Sequence, residues 1–326
     1  MNLNKIEGNG YRIGIPVPFP MKYVYCYLLP SDDSYVLIDT GYNYGKAREA
    51  WEEVFDQLTV DPLSIRAIYV THFHPDHSGL AHWMQQKTGA AIYMHASDRE
   101  MMDRVWGKGT VQTARIEEMM KKHGVPAALS SEIADHMDKM SQQMRPLPDI
   151  QELDHDPVFM DSSWQVLHTP GHSDGMFCLY NEQEQKVFSS DLILYPITPN
   201  ISVWPGASQR PLHDYHLSLQ KIKRLPVKTA YTAHGEPIHN VKERIDELIE
   251  HHDQRLKQME ELAGGLTAYQ IASTVFAHRD LTPHQWRFAM AETIAHLHYL
   301  EEEKRTRTWK DHEGTIYNEH IHKTVT

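Results

Sequence analysis

Cysteine is nearly absent: Cys26 and Cys178 are the two in 326 residues, each inside an apolar, strand-like run. Two such thiols read as core residues rather than as a bridge, so nothing demands an oxidising compartment. Long apolar runs are missing too. The longest near the start, Tyr23 to Leu29, falls far short of the roughly 18 residues that span a bilayer. Met1-Asn-Leu-Asn-Lys5 has no basic patch followed by an apolar core, so no secretory signal is visible. Positive charge is in deficit, with 32 Lys plus Arg against 44 Asp plus Glu, a net −12 that repels phosphate backbones and anionic membranes. No period of about 20–50 residues repeats, which excludes a solenoid. With 40% apolar and 23% charged residues the balance is globular rather than disordered. The expectation is a soluble, cytoplasmic protein of about two domains, at roughly 150 residues each. One abundance stands out against these shortages, the 23 histidines.

From Tyr11 to about Asn240, short β-rich runs alternate with amphipathic helical patterns. Strands are expected at Val36–Asp39, Ile68–Thr71, Ala91–His95, Gln165–His168, Phe177–Asn181, Val187–Ser190 and Ala230–Ala233, each bounded by turn formers. Lys46–Leu58 sets Ala47, Trp51, Val54, Phe55 and Leu58 on one helical face. Residues 97–145 read as a helical insertion of two or three helices holding seven of the fifteen methionines, a packing element or a lid over a cleft. The pattern predicts an α/β (α+β) layered sandwich over 1–240 with helices outside.

Residues 241–326 change character. A helix over Val241–Leu262 stops at Gly264-Gly265, capping boxes open helices at Thr267 and Thr282, and a hairpin follows over Arg307–Asn318. Three helices and a hairpin suggest a small winged-helix-like domain. Its third helix carries only Arg287 before Lys304-Arg305, and the module is net negative, which disfavours nucleic acid. A packing or dimerisation role is expected, which allows a homodimer.

The decisive segment is His72-Phe-His74-Pro-Asp76-His77, straight after an apolar strand. His72 and His74, two apart in extended chain, face one side and can share an ion. Asp76 and His77, at a turn into the next helix, can reach a second site. His172 follows a Pro-Gly turn, and Asp191 and His234 each end a strand. Together they are seven ligand-type side chains, five His and two Asp. Such nitrogen and oxygen donors suit two divalent ions per chain, zinc first, with iron or manganese as alternatives.

This motif set resembles the metallo-β-lactamase-fold hydrolases over residues 11 to about 240. The resemblance implies a four-layer αββα sandwich with two metals at one edge. It puts His72, His74 and His172 on one metal, Asp76, His77 and His234 on the other, and Asp191 as the bridge. Asp39, in Val36-Leu-Ile-Asp39-Thr-Gly41, would support the site from behind the ligands, with Thr71 beside it. The C-terminal module is similar to the winged-helix appendage of a subset that includes endoribonucleases. Asp191, where antibiotic-cleaving members have cysteine or serine, points away from lactam cleavage, and no flavin domain is seen.

Two such cations lower the pKa of a bridging water toward neutrality, giving a hydroxide for attack on a carbonyl carbon or phosphorus. Asp76 and Asp191 are the catalytic candidates, with Asp76 orienting the nucleophile and moving a proton to the leaving group. Tyr195, Asn200, Trp204 and Tyr215 are candidate substrate contacts, core packing being the competing role for Tyr215. His251-His252 read as solvated, Asp154-His155-Asp156 as a turn, and His320-Ile321-His322 as surface tail. The expected activity is hydrolysis of a small acyl substrate, a thioester or lactone-type ester. A phosphodiesterase or endoribonuclease on single-stranded RNA is the alternative, to be marked by a positive groove for which Lys304, Arg305, Arg307 and Lys310 are the visible cluster. A metal-binding sensor without turnover is the third.

Overall fold

The structure is a computed structural model that describes residues 2–153 and 157–321. The turn at 154–156 and His322 therefore lie outside the described residues. No described helix is long and apolar enough to cross a membrane.

Alternation along one strand shows how the layers arise. In β3 (Tyr23–Ser31), Tyr25, Tyr27 and Leu29 face one way and Val24, Cys26 and Leu28 the other, all buried. A strand buried on both faces needs a sheet on one side and helices on the other. The first set meets the four-stranded sheet, joining Phe177, Leu179, Phe188 and Tyr231 in one apolar cluster. The second set belongs to a larger cluster with Trp51, Val54 and Phe55 of α1 (Gly45–Leu58).

The large sheet runs β1 (Asn2–Lys5), β2 (Tyr11–Pro16), β3, β4 (Ser34–Ile38), β5 (Ile65–Tyr69), β6 (Ala91–Met94) and β7 (Ile150–Glu152) in spatial order. It is antiparallel up to β4 and parallel from β4 to β7. Helices α2 (Pro75–Ser78) and α3 (Ala81–Thr88) connect β5 to β6. The insertion before β7 is three helices, α4 (Ala96–Trp106), α5 (Gln112–Lys122) and α6 (Ala127–Gln143), with six of its seven methionines buried and Met119 partly so. The second sheet has the order β11-β10-β9-β8, formed by β8 (Trp164–His168), β9 (Phe177–Asn181), β10 (Lys186–Ser190) and β11 (Thr229–Thr232), with α7 (Pro211–Lys223) between β10 and β11.

Beyond it come α8 (Val241–Leu262), β12 (Gly264–Thr267), α9 (Ala268–Val275), α10 (Pro283–Glu302), β13 (Thr306–Lys310) and β14 (Ile316–His320). Both capping boxes form, at Thr267 with Gln270 and at Thr282 with Gln285. The Gly264-Gly265 helix stop is also the start of a strand: β12 pairs with β14, making the hairpin a three-stranded sheet.

Two surface readings are corrected here. His252 is fully buried, its Nδ1 3.0 Å from His296 Nε2, and His251 is half-buried. The reason is helical spacing: His252 falls between Leu248 and Leu256 on the inward stripe of α8. His320 is no tail residue, since it pairs with Thr306 in the sheet and is half-buried.

Candidate metal centre

Strand ends gather the seven side chains at one edge of the sandwich. His72 and His74 follow β5, Asp76 and His77 lie on α2, His172 follows β8 through a turn, and Asp191 and His234 come directly after β10 and β11. Three overlapping groups of ligand atoms result: His72, His74 and His172; His72, His77 and Asp191; Asp76, His77 and His234. In each the atoms lie within 4.8 Å of one another.

The distances describe two facing sets. His74 Nδ1 is 3.0 Å from His72 Nε2 and 2.9 Å from His172 Nε2. Three imidazole nitrogens this close cannot all be satisfied by the protons they carry, whereas two nitrogens on one tetrahedral zinc at about 2.0–2.1 Å sit roughly 3.4 Å apart. On the other side His234 Nε2 is 3.2 Å from Asp76 Oδ2, and His77 Nε2 is 3.8 Å from the same oxygen. Asp191 stands between the sets, Oδ2 at 3.3 Å from His172 Nε2 and Oδ1 at 3.6 and 3.7 Å from the Nε2 atoms of His77 and His234. His77 Nε2, His234 Nε2 and Asp191 Oδ1 are buried without a hydrogen-bond partner: the approaches of 3.6 to 3.8 Å are too long for one, and the 3.2 Å approach of His234 to Asp76 lacks the alignment. Buried orphans of this kind, aimed at one space, fit a pair of cations.

The opposite ring nitrogens are anchored, which fixes which atom points inward. His77 Nδ1 lies 2.8 Å from Asp39 Oδ2, His172 Nδ1 2.9 Å from the Asn200 carbonyl, and His234 Nδ1 3.0 Å from the Tyr23 carbonyl. Asp39 accepts from the Thr71 N–H at 2.8 Å and from its hydroxyl at 2.9 Å. Thr71 Oγ1 is also 3.1 Å from His72 Nδ1. Asp39 and Thr71 thus stand directly behind the candidate ligands His72 and His77.

Burial, and then the neighbouring imidazoles, hold His72 and His74 well below the usual histidine pKa, so their lone pairs are free. Burial opposes charge on His77 and His234 as well, but the surrounding carboxylates outweigh it and raise both. Asp76 moves the other way: burial pushes it up, yet His77 and His234 bring it down to about 2.

Sequence reasoning missed Asp98, a first-turn acid of α4 that is fully buried. Its carboxylate accepts from Phe73 N at 2.9 Å, Ser173 Oγ at 2.7 Å and Gly175 N at 2.6 Å. It therefore ties the His72–His74 loop to the His172 loop. Burial pushes its carboxyl up to about 6 although the hydrogen bonds from Ser173, Gly175 and Phe73 pull it down. Asp98→Ala leaves those three donors unpaired. The expected result is a stability loss of about 2–4 kcal/mol with weakened zinc affinity, measured by urea unfolding and competition with a chromophoric chelator. Unchanged zinc affinity would show that the two loops hold their positions without Asp98.

The site opens into a cleft of about 320 Å³. Its walls are largely apolar and include Phe73, Met101, Trp106, Met140, Trp204 and Phe288. The insertion is therefore part of the cleft wall. Asn200 and Trp204 line the cleft as expected. Tyr215 does not: it is fully buried, and its hydroxyl donates to the Leu192 carbonyl at 2.9 Å. Tyr195 does not either; it is 52% exposed and lies against the Arg244 guanidinium outside the cleft. The third helix of the C-terminal region, α10, was also underestimated. His284, Arg287 and Phe288 all reach the cleft, and Val203 N donates to the Ala291 carbonyl at 3.2 Å. Arg305 pairs with Glu260 and Arg307 with Glu319, and neither these nor Lys304 and Lys310 line the cleft.

Comparison with known proteins follows the same lines. Residues 20–234 match the metallo-beta-lactamase superfamily, and residues 256–320 match the family described as metallo-beta-lactamase-like, C-terminal domain. The chain is 25% identical over 314 residues to a Bacillus subtilis (strain 168) protein named "Probable metallo-hydrolase YqjP", covering 94% of this chain and 96% of that one. It is 23% identical over 252 residues to an "Atrochrysone carboxyl ACP thioesterase" of Aspergillus fumigatus, covering 76% and 61%. A crystal structure of a metallo-beta-lactamase family protein from Thermus thermophilus superposes with a TM-score of 0.85 at 28% identity, covering 97% of this chain and 99% of that one.

Proposed function

The chain belongs to the metallo-beta-lactamase superfamily, and from that premise we propose that it hydrolyses an acyl substrate, a thioester or lactone-type ester, at a dinuclear centre. The family, a relative named as a probable metallo-hydrolase over nearly the whole chain and the His/Asp cluster together make it a metal-dependent hydrolase, with a cluster typical of the dinuclear sites of that superfamily. The finer reading, acyl hydrolysis, rests on one observation above all: the cleft that opens onto the cluster is walled by aliphatic and aromatic side chains. Such a wall suits a hydrocarbon portion and offers little to a sugar–phosphate chain. A relative bearing the name ACP thioesterase supports the same class.

His72, His74 and His172 would hold one cation, Asp76, His77 and His234 the other, with Asp191 shared. Zinc suits this donor set, with iron or manganese as alternatives. Two bound cations supply an activated water and a contact that polarises the substrate oxygen. The chain's own work lies around that. Asp39, the Asn200 carbonyl and the Tyr23 carbonyl hold His77, His172 and His234 in their tautomers. Asp76 Oδ2 is ionised and borders the cleft, where it orients the attacking water and passes its proton to the leaving sulfur or oxygen. Phe73, Trp106 and Trp204 exclude bulk water from the acyl portion. The helix–strand–helix–helix–hairpin order after residue 240 is read as winged-helix-like, with α10 turned to the cleft instead of to a nucleic acid.

The test is thiol release from a panel of acyl thioesters, comparing zinc- or manganese-loaded protein with His72→Ala. Release by the wild type alone supports acyl hydrolysis at the cluster. Silence across the panel, from protein holding two metals per chain by elemental analysis, sinks the thioester reading and makes single-stranded RNA the next substrate to assay.

A further inference from the structure

The cleft contains one side chain that its apolar walls do not explain. Arg287 projects from α10 into it and is only 7% exposed. Among the described residues it makes no hydrogen bond and no ion pair, and its Nε is buried without a partner. Its guanidinium lies 4.3 Å from the Phe288 ring centre and 5.2 Å from that of Trp204, two faces that flank a cation without neutralising it. The acid one turn further along the helix, Glu292, is engaged elsewhere, accepting from Asn200 Nδ2 at 2.7 Å.

The neighbouring bases do not change this balance. His284 and His136 face the same corner, their ring centres 4.7 Å apart. Burial, reinforced by the Arg287 charge, pushes His284 down to about 3 and lowers His136, so both are neutral near pH 7. Burial also lowers Arg287, to about 10, which leaves it charged. Arg287 is therefore the buried positive charge of this corner; the exposed Lys139 acts on His136, and Asp76 acts on His284 but lies against His234 at 3.2 Å. An unpaired buried cation is a costly arrangement, and a fold that keeps one at the wall of its reaction cleft has a counter-charge arriving from outside.

We propose that Arg287 is a substrate-recognition residue that receives a carboxylate carried on the apolar portion of the substrate, away from the bond hydrolysed at the His/Asp cluster. The inference deepens the acyl-hydrolase reading and rests on it for the identity of the scissile bond. A carboxylate is favoured over a phosphate for two reasons. One positive charge matches a monoanion, and the planar fork of arginine pairs with a carboxylate through two parallel N–H···O bonds. Where substrates carry phosphate on their thiol arm, the same guanidinium could be occupied from that end, so the experiment separates the two sources.

The kinetic arm uses N-acetylcysteamine thioesters, which contain no phosphate, and compares an octanoyl chain with one of the same length ending in a carboxylate. The metal-loaded wild type is expected to favour the carboxylate-ended chain by roughly 10–100-fold in kcat/KM, the range a charged hydrogen-bonded pair supports. Arg287→Gln should collapse that ratio toward 1, and Arg287→Lys should keep part of it. Pantetheine against 4′-phosphopantetheine thioesters should show no Arg287-dependent difference; a dependence there and not on the acyl end would overturn the carboxylate assignment.

The binding arm does not depend on turnover. Suberate and octanoate each offer one carboxylate to the metals, and only suberate has a second for Arg287. Followed by tryptophan fluorescence, to which Trp204 reports directly, suberate should bind the wild type at least about tenfold more tightly, with the gap closing in Arg287→Gln. If no thioester is hydrolysed but the suberate preference is present and needs Arg287, the acyl-hydrolase reading fails and the recognition site stands. Equal binding of the two acids by the wild type, which requires no variant to fold, overturns the proposal, as does a preference that survives in Arg287→Gln.

Discussion

Asp191→Ala is expected to lower turnover of the metal-loaded protein by on the order of 10³-fold or more while leaving its fold intact. The carboxylate lies between both sets of imidazoles, 3.3 Å from His172 Nε2 and 3.6 and 3.7 Å from the Nε2 atoms of His77 and His234. In the proposed site Asp191 would serve both cations, so removing it would weaken both the polarisation of the substrate and the activation of water that they would supply. The apolar clusters that hold the two sheets together do not include Asp191, which is why far-UV circular dichroism should not change. Metal content should drop below that of the wild type, and the rise in Tm on adding zinc should shrink, since that rise reports how tightly the folded state binds the metal. Unchanged turnover in metal-replete Asp191→Ala would refute a dinuclear mechanism outright.

A comparable loss is expected from a single methyl group placed outside the cluster. Gly171 sits at φ +136°, and an added Cβ would lie 2.5 Å from the Tyr215 Cα. That backbone cannot yield, because Tyr215 is fully buried on α7 with its hydroxyl bonded to Leu192. The loop must move instead, against the Ser218 hydroxyl that holds the Pro170 carbonyl at 2.7 Å. His172 is the next residue and moves with it. Gly171→Ala is therefore expected to cost about 3 kcal/mol from overpacking and backbone strain together. Turnover should fall at least ~100-fold, as a ligand misplaced by about 1 Å implies. Gly89→Ala is the control. Gly89 also has a left-handed backbone, φ +69°, but nothing lies within 4 Å of its missing Cβ, so about 1 kcal/mol of strain is all it should lose. Urea unfolding and steady-state rates on the two variants decide the matter: equal effects would mean that contact with Tyr215 is irrelevant.

Much of this was legible in the chain because it depends on neighbours in sequence. Short apolar runs ending in His, Asp or a Pro-Gly turn are local patterns, and each ligand sits within a few residues of a strand end. Helix stops and capping boxes are local as well, so Thr267 and Thr282 could be read before any packing was known. His252 was legible in principle, since its spacing from Leu248 and Leu256 is a helical period; a pair of adjacent histidines on a polar helix distracted from it.

The tertiary structure decided what depends on distant parts of the chain meeting. Tyr215 and Tyr195 are both aromatic residues near Asp191 in sequence, yet one is sealed under the His172 loop and the other lies outside the cleft. Nothing in their local sequence separates them, because the choice is made by where α7 and the loop after Asp191 pack. Asp98 gained its role only when the Phe73 loop, 25 residues before it, and the Ser173–Gly175 loop, 75 to 77 residues after it, closed on it. Arg287, in sequence only the one cation of a helix expected to serve packing or dimerisation, gains a place in the site because α10 walls the cleft. The amino-acid sequence by itself brought out the candidate ligand residues and their places at strand ends, which are local patterns, and the class of hydrolase came with the family resemblance that those motifs carry. Cleft shape, the anchoring of the loops and the unpaired charge at the cleft wall were decided only by packing, because burial is a property of the assembled fold and of no single segment.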